Sequence, residues 1–229
     1  MWRFAVVAVA VGACTVDRSI PDPSTCPRRS LFVNFESEQL SPGDHDDPDQ
    51  GISTNVTAPR LLPGYRANDP ARDTAIQAMV DQIRMTLNSF PIDVVTERPT
   101  TAGYHMVLVG GHASDVNPLL DSSLVALGTS GDCVIGAPNA ITFVFADALD
   151  DLNGAMLPQD GNLVVSSYAS TKAIPGSTGD PKDCMATENP DPNTACRTDQ
   201  TVMRDQRAGA CGEGSTFEEF GAFASLPCD

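Results

Sequence analysis

Basic side chains are scarce in this chain: 14 Lys plus Arg stand against 30 Asp plus Glu, a formal net charge of -16. A surface of that sign repels phosphate backbones and anionic head groups, which argues against nucleic acid as a partner. The acidity is read as a device for solubility, not for charge-driven binding. Histidine is scarcer still, with only His45, His105 and His112. None of them lies in a recognisable triad context, and the chain has no Gly-x-Ser-x-Gly elbow and no Gly-x-x-x-x-Gly-Lys phosphate loop. No apolar run reaches the ~20 residues of a membrane-spanning helix. Cys-x-x-Cys pairs are lacking too: the closest two of the later cysteines, Cys184 and Cys196, are too far apart for a zinc ribbon or finger.

What is present at the start of the chain is an address. Arg3, the apolar stretch Phe4 to Val11 and the small residues Gly12-Ala13 before Cys14 have the layout of a signal peptide. Val11-Gly12-Ala13-Cys14 resembles a bacterial lipobox, which makes Cys14 the expected lipidation site, with ordinary cleavage near Ala13 as the alternative. Setting Cys14 aside leaves Cys26, Cys133, Cys184, Cys196, Cys211 and Cys228, an even number that suits disulfides in an oxidising compartment. Their connectivity does not follow from the sequence; Cys196 with Cys211, closing a C-terminal hairpin, is one possible disulfide. Residues 15–29, with Pro21, Pro23 and Pro27, read as a Pro/Ser/Thr tether.

Beyond the tether, Leu31 to Phe35 has the aromatic and β-branched content of a strand. The segment Ser41 to Gly51 is acidic and rich in turn residues. Its Asp47, Asp49 and Gly51 are similar to part of a calcium loop, but the ordered ligand series and the closing glutamate are missing, so a solvated loop is expected. The clearest helix spans about 70–88, with Asp69 as N-cap, Pro70 at the first helical position, and an apolar stripe of Ile76, Met79, Val80, Ile83 and Leu87. Strands follow at Ile92 to Thr96, Tyr104 to Gly110 and Ile141 to Phe145, the last two as continuous apolar runs of the kind buried on both faces. A second helix is expected over 162–174, although its serines and threonines are poor helix formers. The order predicts an α/β domain with a crossover helix. Adjacent acids such as Asp150-Asp151 are expected to be solvated and to point apart, and Asn55-Val-Thr57 is an accidental sequon in a bacterial chain.

Several separated segments resemble a group of deltaproteobacterial, myxobacterial-type metzincin-like proteins, which are exported or lipid-anchored relatives of zinc peptidases. The matching pieces are Leu31-Phe-Val-Asn-Phe35 with Leu40-Ser-Pro-Gly43, Asn88 to Glu97, Val107 to Gly111, Asp132-Cys133 before Asn139 to Phe145, Asp183-Cys-Met185, and Asp205-Gln206 with Ala210-Cys-Gly-Glu213. The resemblance implies a twisted mixed sheet packed on two helices, with a loop-rich, disulfide-bearing C-terminal part. It also implies an active-site helix carrying His-Glu-x-x-His-x-x-Gly-x-x-His, whose histidines bind zinc and whose glutamate activates the metal-bound water. Here the corresponding positions hold Ala169, Ser170, Ala173, Gly176 and Gly179, with Met185 as the possible turn methionine. Alanine and glycine side chains have no lone pairs for a metal, and no register supplies a histidine beyond His112.

The sequence therefore predicts a signal peptide with a lipobox cysteine over 1–14, a tether over 15–29 and one metzincin-like domain over 30–229 with a Cys-rich C-terminal segment. No catalytic residue, no metal ligand and no cofactor is expected, zinc included. The expected function is that of a non-catalytic, lipid-anchored protein of the bacterial envelope, at the outer membrane or cell surface, binding a peptide or protein or serving a structural role. The alternative is a secreted zinc metallopeptidase with an atypical metal site.

Overall fold

The computed structural model describes residues 28–88, 90–128, 139–153, 161–162, 164–165, 201–203 and 216–218. Its centre is a mixed five-stranded sheet of order β5-β1-β6-β8-β7. The strands β1 (Arg29–Asn34), β5 (Ile92–Val95), β6 (His105–Val109) and β8 (Ile141–Val144) run parallel, and β7 (Ala126–Leu127) closes one edge antiparallel to β8. In register, Leu31 faces Val94 on one side and His105 on the other, and Leu108 faces Phe143. The architecture is mixed α/β, as the sequence predicts.

Alternation along the strands divides the apolar side chains between two layers. On one face Leu31, Val33, Val107, Val109 and Val144 meet Met79, Val80, Ile83 and Leu87 of α1 (Arg72–Leu87), together with Val164 and Val165. On the other, Phe32, Met106, Leu108, Ile141 and Phe143 meet Leu40 and Leu62 from a second sheet and Ala113 and Val116 of α2 (Ala113–Val116). Strands β6 and β8 are buried along their whole length, which is why they read as unbroken apolar runs. Each fully buried Leu or Phe contributes about 1.5–3 kcal/mol of transfer free energy.

The second sheet is an insertion between β1 and α1. It has the order β3-β2-β4, with β2 (Glu38–Pro42) parallel to β3 (Ile52–Ser53) and antiparallel to β4 (Arg60–Leu62). Arg98 fastens it to the main sheet. Its guanidinium donates to Glu38 Oε2 at 2.7 Å, to the Tyr104 hydroxyl at 3.1 Å and to the Pro48 carbonyl, and lies over the Phe32 ring at 5.5 Å.

Helix α1 starts later than its sequence suggests. Arg72 is the first helical residue, Ala71 holds the N-cap position without a side-chain bond, and Asp69 Oδ1 instead accepts the Ala71 amide at 2.8 Å. The aspartate therefore closes a turn before the helix and does not cap it. Pro70 belongs to that turn. A helix the sequence did not suggest, α3 (Ala146–Asn153), follows β8 directly. Of the helix expected over 162–174, residues 162, 164 and 165 are helical, and 163 and 166–174 lie outside the described residues. Asn162 Oδ1 accepts from Gln82 Nε2 of α1 at 2.9 Å, which packs this turn against the crossover helix. Farther on, β9 (Thr201–Met203) and β10 (Thr216–Glu218) form an antiparallel pair.

Candidate functional site

In open α/β sheets a ligand crevice forms at the carboxyl ends of adjacent strands whose connections leave in opposite directions. Here those strands are β1 and β6. The crevice between them is filled by the chain itself. Gly110, at φ +142°, lies so close to the segment after β4 that a Cβ would stand 2.6 Å from the Pro63 carbonyl oxygen and 2.9 Å from the Tyr65 nitrogen. Tyr65 is fully buried, donates its amide to the Phe35 carbonyl at 3.0 Å and meets the Phe35 ring edge-on at 5.9 Å. Arg72 reaches back from α1 to the carbonyls of Tyr65 and Phe35, both at 2.8 Å. Arg66, at φ +42°, completes the plug with a forked contact to Asp150 of α3, at 3.2 and 2.9 Å, and stacks over the Tyr65 ring at 5.0 Å.

Beside the plug lies a polar cluster formed where β6 and β8 end. His112 begins α2: its ring accepts the Asp115 amide, and Asp115 Oδ2 accepts the His112 amide at 2.7 Å, a reciprocal capping box. His112 Nε2 stands 3.2 Å from Asp151 Oδ2. Asp147, in the first turn of α3, is pushed above the ordinary carboxylate range chiefly by burial. Asp150 and Asp115 push it the same way, whereas His112 and the Gly111 amide pull it back. Asp150 and Asp151 take different partners, Arg66 and His112, and Asp150 is not simply solvated. It is held by Arg66 with its side chain 28 % exposed.

Among the described residues the histidines do not converge. The three histidines go to separate places: His45 pairs with Asp44 at 2.6 Å on an exposed loop, His105 lies buried at the start of β6 with Nε2 3.5 Å from Thr142 Oγ1, and His112 caps α2. Among the described residues no three His, Cys, Asp or Glu side chains are gathered to hold a metal ion. Among the described residues the donor set therefore does not fit the zinc that the metzincin resemblance implies.

The acidic loop before β3 lines a cavity of about 270 Å³, with Tyr104, Gly103 and Asn139 opposite. Two of its carboxylates, Asp46 and Asp47, are committed to the backbone. Asp47 Oδ1 accepts the amides of Asp49 and Gln50, while Asp46 accepts the amides of Thr54 and Ile141 through its two oxygens. The Asp47 bonds are turn chemistry of the Asx type, whereas Asp46 ties the loop to Thr54 and to the start of β8.

The remaining feature is an edge. In β7, Ala126 faces Val144 and Leu127 faces Phe143, and the Phe145 amide donates to the Val125 carbonyl at 2.9 Å. Antiparallel pairing alternates, so residues 125 and 127 turn their backbone groups toward β8 and Ala126 turns its own outward. Among the described residues no strand pairs with that outer side.

Cys14, Ala169, Ser170, Ala173, Gly176, Gly179, Met185, Cys196 and Cys211 all lie outside the described residues, as do residues 1–27. Among the described residues no helix is long and apolar enough to cross a membrane. Sequence reasoning passed over Arg66 and Asp147. The first is a single cation in a loop, and the second sits in a helix whose acid-rich sequence gave little sign of it. No protein-family model, curated protein or solved structure matches the chain.

Proposed function

We propose that this chain is a lipid-anchored envelope protein whose metzincin-like domain carries out no hydrolysis and receives an extended peptide or protein segment along β7. The observation that carries the reading is the mixed sheet ending in an antiparallel strand with its outer side unpaired among the described residues. Strand addition at such an edge draws its affinity from main-chain hydrogen bonds and needs no metal. The close packing of Gly110 on Pro63 and Tyr65 beside the crevice between β1 and β6 fits the same reading. The structural employment of His105 and His112 fits it as well. Anchoring through Cys14 would keep the edge at the envelope, where extended segments of other exported proteins are available.

The test uses detergent-solubilised full-length protein. Unstructured peptides are titrated by fluorescence anisotropy, and the same preparation is analysed for zinc and assayed for cleavage with and without chelator. Saturable binding without zinc and without cleavage is the expected result. Ala126→Pro removes the one outward amide donor of β7 while leaving the ladder to β8 intact, and it weakens that binding. Stoichiometric zinc with chelator-sensitive cleavage would establish the peptidase alternative instead. Retention of a Cys14→Ser variant in the membrane fraction would refute the lipid anchor.

A further inference from the structure

The opposite edge of the main sheet, β5, is built differently from β7. The Arg29 amide donates to the Pro91 carbonyl at 3.2 Å, so residues 91, 93 and 95 turn their backbone groups toward β1, and Ile92 and Val94 turn theirs away from it. Those two outward carbonyls are the ones that arginines occupy. Arg28 Nη2 donates to Ile92 O at 3.3 Å, and Arg84 donates to Val94 O from Nε at 3.2 Å and Nη2 at 3.1 Å. The outward Ile92 amide is also engaged, donating to the Phe90 carbonyl at 2.7 Å.

Each guanidinium is itself held in place. Arg28 is forked onto Asp93 Oδ1 through Nε at 2.8 Å and Nη2 at 2.6 Å. Arg84 lies in the last turn of α1, where a cation is favoured by the helix dipole, and the helix packs directly on the sheet. A planar fork with fixed donors suits carbonyl capping better than a flexible ammonium does.

We infer that Arg28 and Arg84 are edge guards: by occupying the outward carbonyls of β5 they prevent a second copy of this chain from extending the sheet there. Exposed parallel edges pair readily with other chains unless something blocks them. This inference stands apart from peptide binding at β7; a chain that bound no peptide would still associate through an unguarded β5.

The test is self-association of full-length protein in detergent, measured by sedimentation velocity for the parent and for the Arg28→Ala/Arg84→Ala double variant. Restoring two inter-strand hydrogen bonds corresponds to roughly ten- to hundredfold tighter self-association in the variant. Removing two cations makes the net charge more negative than its present -16, so a gain in association cannot be ascribed to relieved repulsion. Hydrogen exchange then locates the contact: the Val94 amide, which faces outward, exchanges more slowly in the associated variant than in the parent. Should the double variant fail to fold, the single variants Arg28→Ala and Arg84→Ala carry the same test. A variant that folds, shown by a cooperative circular dichroism melt, and sediments as the parent does at every concentration overturns the inference. So does association that leaves Val94 exchange unchanged.

Discussion

Replacing Arg66 with alanine removes the residue that locks the plug to α3, and the expected loss can be worked from its contacts. The guanidinium makes a fork to Asp150 at 3.2 and 2.9 Å, with side-chain exposures of 12 % and 28 %, and stacks on Tyr65 at 5.0 Å. Hydrogen bonds to charged groups contribute about 1.5–3 kcal/mol net, and a cation over an aromatic ring adds about 0.5–1 kcal/mol. Breaking a fully buried pair from one side costs about 3–5 kcal/mol, but Asp150 keeps some contact with water, so the loss falls below that range. We expect Arg66→Ala to destabilise the fold by about 2–3 kcal/mol. Urea unfolding followed by circular dichroism measures it, provided the slope with denaturant is unchanged. A double-mutant cycle with Asp150→Ala isolates the pair, which should couple by about 1–2 kcal/mol. A loss under about 0.5 kcal/mol, or coupling near zero, would show that the plug is held by Tyr65 and Arg72 alone and that the fork is incidental.

Gly110→Ala should cost about 2 kcal/mol or more, because φ +142° disfavours any side chain and the new Cβ would meet the Pro63 backbone at 2.6 Å; a melting point equal to the parent's would remove the close approach from the account. Asp147 has its proton affinity raised by folding, so its contribution to stability is present below the ordinary carboxylate value of ~3.9 and is lost as pH rises through the raised one. Asp147→Asn is therefore more stable than the parent at pH 7, with the advantage shrinking in acid, and parallel stability-pH curves would refute this. Leu31→Ala, at a residue with 0 % exposure in the interior strand β1, should lose about 2–5 kcal/mol by chemical denaturation. Leu119→Ala, at a residue 90 % exposed, should stay within about 0.5 kcal/mol of the parent.

The four parallel strands of the main sheet and α1 were legible because their residues answer to burial, whereas the two-residue β7 gave no local signal. Met79, Val80, Ile83 and Leu87 recur at helical spacing and are buried, and Ile76 packs at the margin of the same cluster. The runs at β6 and β8 are apolar because both faces are covered. The inserted sheet was not legible, since Glu38–Pro42 and Arg60–Leu62 are half polar and owe their strand form to each other across residues 43–59 rather than to a local pattern. The start of α1 was misplaced because Asp69 and Pro70 carry signals shared by caps and turns. The candidate site was legible only in part. Scarcity of histidine was visible at once, but that β5 is guarded and β7 open depends on which carbonyls face outward, and that is a matter of register.

The position of β1 has a consequence for how the molecule comes into being. It is the first strand among the described residues and lies between its two partners, β5 and β6, both of which are synthesised only after the inserted sheet and the whole of α1. Until they emerge, Leu31 to Phe35 is a sticky ribbon without a berth. Long-range parallel pairing of this kind is slow, and the waiting ribbon is the stretch a holding chaperone would be expected to grip.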